Sequence, residues 1–345
     1  MSSHTPSGQS RAPAGSGSAD SGSAEAIHAL MSGLIDYAGL FPPAKLPMPA
    51  SVEKYAQYAA SNEAWMLGRF IVPVSKIEDF RKAAAAHLPK TKGSDPWLIS
   101  AIIDGDLDEN LDAIFAFNHE HAQERNGLAN IDAAEIKVPM PGDSGLEPEA
   151  LTGAAYIDDA IERMPAEVYP FFELPILSPK GQPVPDLRGC IATLAGADAA
   201  AKVRTGGLTP ESIPTPRAVA EFLCACHAAD VPFKATAGLH HAVRAEYDLT
   251  YEKGCPRSIM HGFLNVFVAA AMLHALRIDV DTVTKILEER EPKKFVFDAN
   301  GIRGGSGGLA IDTAQIERAR ELFALSYGSC SFEEPVQELQ TLGMV

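Results

Sequence analysis

Two stretches decide how this chain reads: Ala-Lys-Val-Arg-Thr-Gly-Gly at 201–207 and Phe-Lys-Ala-Thr-Ala-Gly-Leu-His-His at 233–241. Each is a short strand that carries a lysine and runs into a glycine turn. Between them Thr215 and Pro216 open a helix, the first as a capping hydroxyl, the second at the position where an N–H is not needed. Val219, Phe222, Leu223 and Cys226 then recur at i, i+3, i+4 and i+7, the spacing of one buried face. Strand, helix, strand predicts parallel neighbours, with Lys202 and Lys234 side by side at one end of a sheet.

The same alternation extends both ways. Strands are expected at 34–38, 69–73, 97–103, 133–140 and 168–175 before this unit and at 294–298 after it, each followed by a helical pattern. Asp106 and Glu109 stand at capping-box spacing, as do Asp312 and Gln315, the latter opening a final helix over 312–327. A long loop is expected over 242–260 and a short helix over 185–194. Eight such units over about 300 residues predict an α/β fold, a closed (β/α)8 barrel of parallel strands. An open doubly wound sheet is the alternative, but the first strand-to-helix turn lacks its G-x-G-x-x-G. Residues 1–24, rich in Ser, Gly, Pro and Ala, are expected to be a disordered tail. Residues 25–345 are read as one barrel domain with a C-terminal extension from 328.

The 345 residues carry a formal charge of -16, which repels phosphodiester backbones and argues against a nucleic-acid partner. Five cysteines, an odd number without regular spacing, argue for a reducing compartment, and a cytoplasmic location is expected. The longest apolar run, 263–276, is interrupted by Asn265 and His274 and is too short to span a bilayer. The expected partner is a small molecule. The apolar stretch 37–44 and the segment 329–334 could roof a pocket or form a subunit contact, so a homo-oligomer stays open.

In a barrel of this type the site lies at the C-terminal ends of the strands, and alternation selects the inward side chains. By that parity Glu135 and Lys137, then Glu173, then Lys202 and Arg204, then Lys234 and Thr236 converge on the interior of four successive strands. A free lysine is neutral in about one molecule per thousand at pH 7, and a second cation nearby with partial burial lowers its pKa and makes a nucleophile. Lys202 is then the imine former and Lys234 the cation beside it, or the two exchange roles, with Glu173 or Asp104 relaying protons. The plain structural alternative is an inward lysine paired with Glu173 or Glu135 as barrel filling. A third reading has Lys202 and Arg204 binding an anionic group.

Thr205, Gly206, Gly207 and Gly238 follow their strands directly, where backbone N–H groups can hold phosphate or carboxylate, although tight turns alone would also explain them. The run Gly304–Gly308 offers a second candidate phosphate loop. His240 and His241 are candidates for substrate hydrogen bonding; being adjacent in extended chain they point apart, and no chelating spacing supports them as metal ligands. His261 and Asn265 share a helix face that could look into the same loops.

The segments at 34–44, 202–207, 233–241, 261–267 and 326–332 resemble a family of bacterial and plant proteins without an established activity. The two lysine segments also resemble the deoxyribose-phosphate aldolases, class I aldolases on a (β/α)8 barrel. In that family Thr and Gly stand three and four residues after the Schiff-base lysine, as Thr205 and Gly206 do after Lys202; the second lysine precedes Ala and a hydroxyl residue, as Lys234 precedes Ala235 and Thr236. Arg204 departs from the family pattern, the seventh-strand glycine comes one place later, and His240–His241 has no counterpart. The resemblance implies Schiff-base lyase chemistry on a small anionic carbonyl or phosphorylated substrate, without a cofactor. Two other classes stand beside it: a metal-dependent lyase, isomerase or hydrolase using a divalent metal at Glu135, Glu173 and His240, and a non-catalytic binding barrel.

Overall fold

The computed structural model describes residues 18–91, 93–122, 126–147, 149–177, 186–304 and 308–345. Eight parallel strands close into a barrel: β1 (Ile35–Tyr37), β2 (Leu67–Pro73), β3 (Trp97–Ile103), β4 (Ala129–Lys137), β5 (Tyr169–Leu174), β6 (Ala200–Arg204), β7 (Phe233–Thr236) and β13 (Ala324–Ser329). The outward parity is apolar, as at Phe172, Leu174, Val203 and Ala235, all buried against the surrounding helices. The inward parity is polar on most strands. A burial pattern of this kind is satisfied only by a sheet curled around a charged centre and wrapped in helices.

The central β6–helix–β7 unit forms as its sequence predicts. Helix α7 (Pro216–Ala228) starts where Thr215 Oγ1 accepts from Ala218 N at 3.2 Å, and Val219, Phe222, Leu223 and Cys226 are fully buried. The short helix α6 (Leu187–Leu194) precedes β6; Pro185, its expected first residue, lies outside the described residues. Helix α8 (Phe263–Leu276) is apolar on all sides because it packs against the barrel, α9 (Val280–Glu288) and α10 (Thr313–Leu322) together. Among the described residues no helix is long and apolar enough to cross a membrane.

Several expectations need correction. Residues 296–298 form β10, which with β11 (Gly301–Gly304) and β12 (Leu309–Ile311) makes a small antiparallel sheet outside the barrel. The eighth barrel strand is β13, in a stretch expected to be helical: α10 stops at Leu322, and β13 pairs with both β7 and β1. Gly328 and Ser329 therefore belong to the barrel, and the extension starts after them. Its helix α11 (Glu333–Thr341) returns to the barrel mouth. The expected loop over 242–260 holds an antiparallel hairpin of β8 (Ala245–Asp248) and β9 (Arg257–Met260). At the other end, helix α1 runs from Ser18 to Met31, so the last seven residues of the expected disordered tail are helical; residues 1–17 lie outside the described residues.

Candidate functional site

Register brings the inward residues together. Glu135 is opposite Phe171, Glu173 is opposite both Lys137 and Lys202, and Lys202 is opposite Lys234. The side chains then form a chain of alternating charge. Asp36 Oδ2 lies 2.5 Å from Lys234 Nζ, which lies 2.6 Å from Glu135 Oε1; Glu135 Oε2 lies 2.7 Å from Lys202 Nζ, which lies 2.6 Å from Glu173 Oε2. Hydroxyls fix the carboxylates: Ser326 donates to Asp36 at 2.7 Å and Ser100 to Glu135 at 2.8 Å. Arg69 N donates to the other Asp36 oxygen at 2.7 Å. Buried charges in such a site are tolerated only when paired and hydrogen-bonded throughout, which is the case here.

The two lysines differ in access. Lys234 is fully buried beneath the site, with the Phe171 ring 5.1 Å from its ammonium. Lys202 faces a cavity of about 920 Å³ at the barrel mouth, with Glu135, Lys137, Glu173, Arg204 and Thr236 around it. Burial disfavours the Lys202 ammonium, but Glu135 and Glu173 outweigh it and hold the group above the ordinary lysine range. Burial likewise opposes the Glu135 carboxylate, and Lys202 and Lys234 outweigh it, leaving the carboxyl well below the usual range. This corrects the expectation that Lys234 depresses Lys202. The nearest neighbours of Lys202 are carboxylates, so its amine at rest is protonated.

The loops after β6 and β7 are locked by backbone contact. Thr205 Oγ1 donates to Ala237 O at 2.7 Å, and a side-chain carbon on Gly206 would come within 2.9 Å of Gly238 Cα. Gly238 adopts φ +77°, a conformation that favours glycine. Gly207 and Gly238 line the cavity; Thr205 and Gly206, expected to bind substrate, are committed to holding the two loops together. Asn265 is also placed elsewhere: it accepts from Arg244 N and donates to Ile286 O and Glu289 O, anchoring loops behind the site. Asp104 accepts from Ser75 N and Oγ on the surface and does not line the cavity. The Gly304–Gly308 run falls largely outside the described residues.

Both histidines reach the cavity and are held by the C-terminal extension. Glu334 Oε2 lies 3.1 Å from His240 Nδ1, and Cys330 Sγ stands 3.9 Å from the same ring. Burial pulls the His240 imidazole down, but contact with Cys330 and Glu334 prevails and raises it to about 9. His241 stacks on Tyr247 with 3.4 Å between ring centroids, and Glu338 takes His241 Nδ1 and Ala242 N, each at 2.5 Å. The hairpin tip adds Tyr251, whose hydroxyl is 3.7 Å from Cys330 Sγ. Glu135 and Glu173 thus both engage Lys202, whereas His240 engages Glu334 and Cys330, and among the described residues no group of three or more His, Cys, Asp and Glu is arranged to hold a metal ion.

Sequence reasoning did not select Asp36, Ser100 and Ser326, although Asp36 sat in an apolar strand at the parity that faces inward. Glu334 ends a segment expected to roof a pocket but without a chemical signature, and Glu338 gives no signal, because an acidic helix after the last strand reads as surface. No family model, no curated protein and no solved structure matches the chain.

Proposed function

We propose that this barrel is a Schiff-base lyase of the aldolase kind, with Lys202 as the amine that captures a carbonyl. The observation that carries the reading is the position of Lys202 Nζ: at the floor of the cavity, between carboxylates at 2.6 and 2.7 Å, while the second lysine is sealed below. Glu173, the less buried of the two carboxylates, is the proton acceptor. It takes the ammonium proton, the free amine adds to the carbonyl carbon, and the carbinolamine hydroxyl leaves as water with the returned proton, so that the iminium forms on Lys202.

The product, an iminium ion, carries the same charge in the same place as the ammonium. The carboxylates that resist deprotonation at rest therefore stabilise the intermediate, which is where the electron pair of the adjacent carbon–carbon bond goes as that bond breaks. Glu173 accepts the hydroxyl proton of the departing fragment. Protonation of the enamine carbon and hydrolysis of the imine then release the second product and the lysine. Arg204, two residues along the same strand face, lies 3.9 Å from Glu173 with its side chain 55% exposed, in reach of an anionic group on the substrate.

Borohydride reduction in the presence of small aldehydes and 2-oxo acids, followed by intact mass and peptide mapping, tests the reading. One adduct on Lys202, absent in Lys202→Met, is expected. No adduct with any member of the panel, or one that persists in Lys202→Met, overturns it.

A further inference from the structure

At its barrel end the cavity has two chemically different halves, and the β8–β9 hairpin lines the rest. The ends of β4 to β7 supply its ionic wall, with Lys202 and Arg204 on one strand. The ends of β1, β2 and β3 supply the opposite wall with Phe41, Pro42, Ile71 and Ile102. Strand parity explains the split: Ile71 and Ile102 occupy inward positions two residues beyond Arg69 and Ser100, where β4 and β6 carry Lys137 and Arg204 two residues beyond Glu135 and Lys202. Between the halves lies Gly328. A side-chain carbon there would stand 3.1 Å from Ile71 Cδ1 and 3.2 Å from Thr236 Oγ1, so the glycine keeps the passage open.

The volume, about 920 Å³, is near the top of the roughly 300–1,000 Å³ that ligand pockets span. A three-carbon acid would fill a small part of it and leave the isoleucine wall in contact with water, where it contributes nothing. We propose that the substrate is amphiphilic: a carbonyl compound with an anionic head toward Lys202 and Arg204 and an apolar tail lying on Phe41, Ile71 and Ile102. The head-group end of this assignment rests on the imine reading. The tail end does not.

Two arms separate them. In the first, borohydride trapping is titrated with straight-chain 2-oxo acids from pyruvate to 2-oxooctanoate. In the second, saturated carboxylates from butanoate to decanoate, which cannot form an imine, are titrated by calorimetry. The half-saturating concentration is expected to fall about three- to fourfold per methylene in both arms, the value of burying one CH2, until the tail outgrows the wall. Ile102→Asn and Phe41→Ser, checked for native circular dichroism, are expected to flatten the slope. Flat series in both arms, or a slope untouched by both substitutions, overturn the amphiphilic assignment. Carboxylate affinity that rises with length in the absence of any trapped adduct supports the apolar half and strikes the imine reading instead.

Discussion

Glu135 Oε1 lies 2.6 Å from Lys234 Nζ at a point where both side chains are closed to solvent, and the Glu135 carboxylate is shared with the second lysine above it. Lys234 thereby holds the carboxylate that holds Lys202. Removing Lys234 leaves Asp36 without its ammonium partner and Glu135 with Lys202 alone. Lys234→Met is expected to cost about 3–5 kcal/mol of stability, read from urea midpoints. Lys202→Met should cost less, because Glu173 reaches the cavity and its water. Equal losses would mean that the depth of the two lysines does not matter.

The parity that predicts this cluster was legible, and so was the barrel. The strand that its local sequence conceals is β13. Its Ala-Leu-Ser-Tyr-Gly-Ser sequence is poor in β-branched residues, and the helix pattern before it runs on without a break signal. The small inward residues have a tertiary cause: Ser326 must fit beside Asp36 and Lys234, and Gly328 beside Ile71. The segment 294–298 has the stronger strand signal, yet its partner is a local antiparallel neighbour. Short-range pattern records that a segment is extended and says nothing of which sheet it joins. The same limit hid Glu334 and Glu338, whose partners lie about a hundred residues earlier.

Imine formation should accelerate with pH, since the carboxylates keep the Lys202 amine protonated. Glu173→Gln has two opposed effects on it. Losing one carboxylate eases release of the amine, although Glu135 still holds the ammonium, whereas losing the proton acceptor slows the transfer about 10²- to 10⁴-fold. The second effect is larger, so cyanoborohydride trapping over pH 6–10 should show a net slower variant at every pH. A faster variant would remove Glu173 from the proton path.

Two histidines should give the fold a stability maximum near pH 6.5. His240 is raised to about 9, so its contribution is complete below the unfolded value near 6.5 and is lost as pH climbs through 9. His261 is buried with Nε2 2.8 Å from Pro214 O, and burial lowers it to about 4; its contribution is complete above 6.5 and is lost as pH falls through 4. Each limb is on the order of 3 kcal/mol. Urea midpoints in steps from pH 4 to 9 measure both. His240→Gln should remove the alkaline limb and leave the acid one.

The C-terminal helix should be fastened mainly by Glu338, through His241 and Ala242 N. Glu338→Ala leaves that N–H without its acceptor and is expected to cost about 1–3 kcal/mol. Hydrogen exchange provides the local reading: faster exchange at Ala242 and across 333–341, with the β4–β6 amides unchanged. Uniform acceleration across the barrel would instead make the helix part of the global folding unit.

Closure of the ring by β13 also dictates an order of events during synthesis. Asp36 emerges early and Lys234 much later, but Ser326, which binds Asp36 from the strand between them, arrives last. Until the ribosome has released that strand, the sheet has two raw borders, β1 and β7, with their backbone groups unsatisfied and a charged centre open to water. A nascent chain stopped before residue 324 is therefore a sticky, half-wound sheet. The finished one has no free border at all.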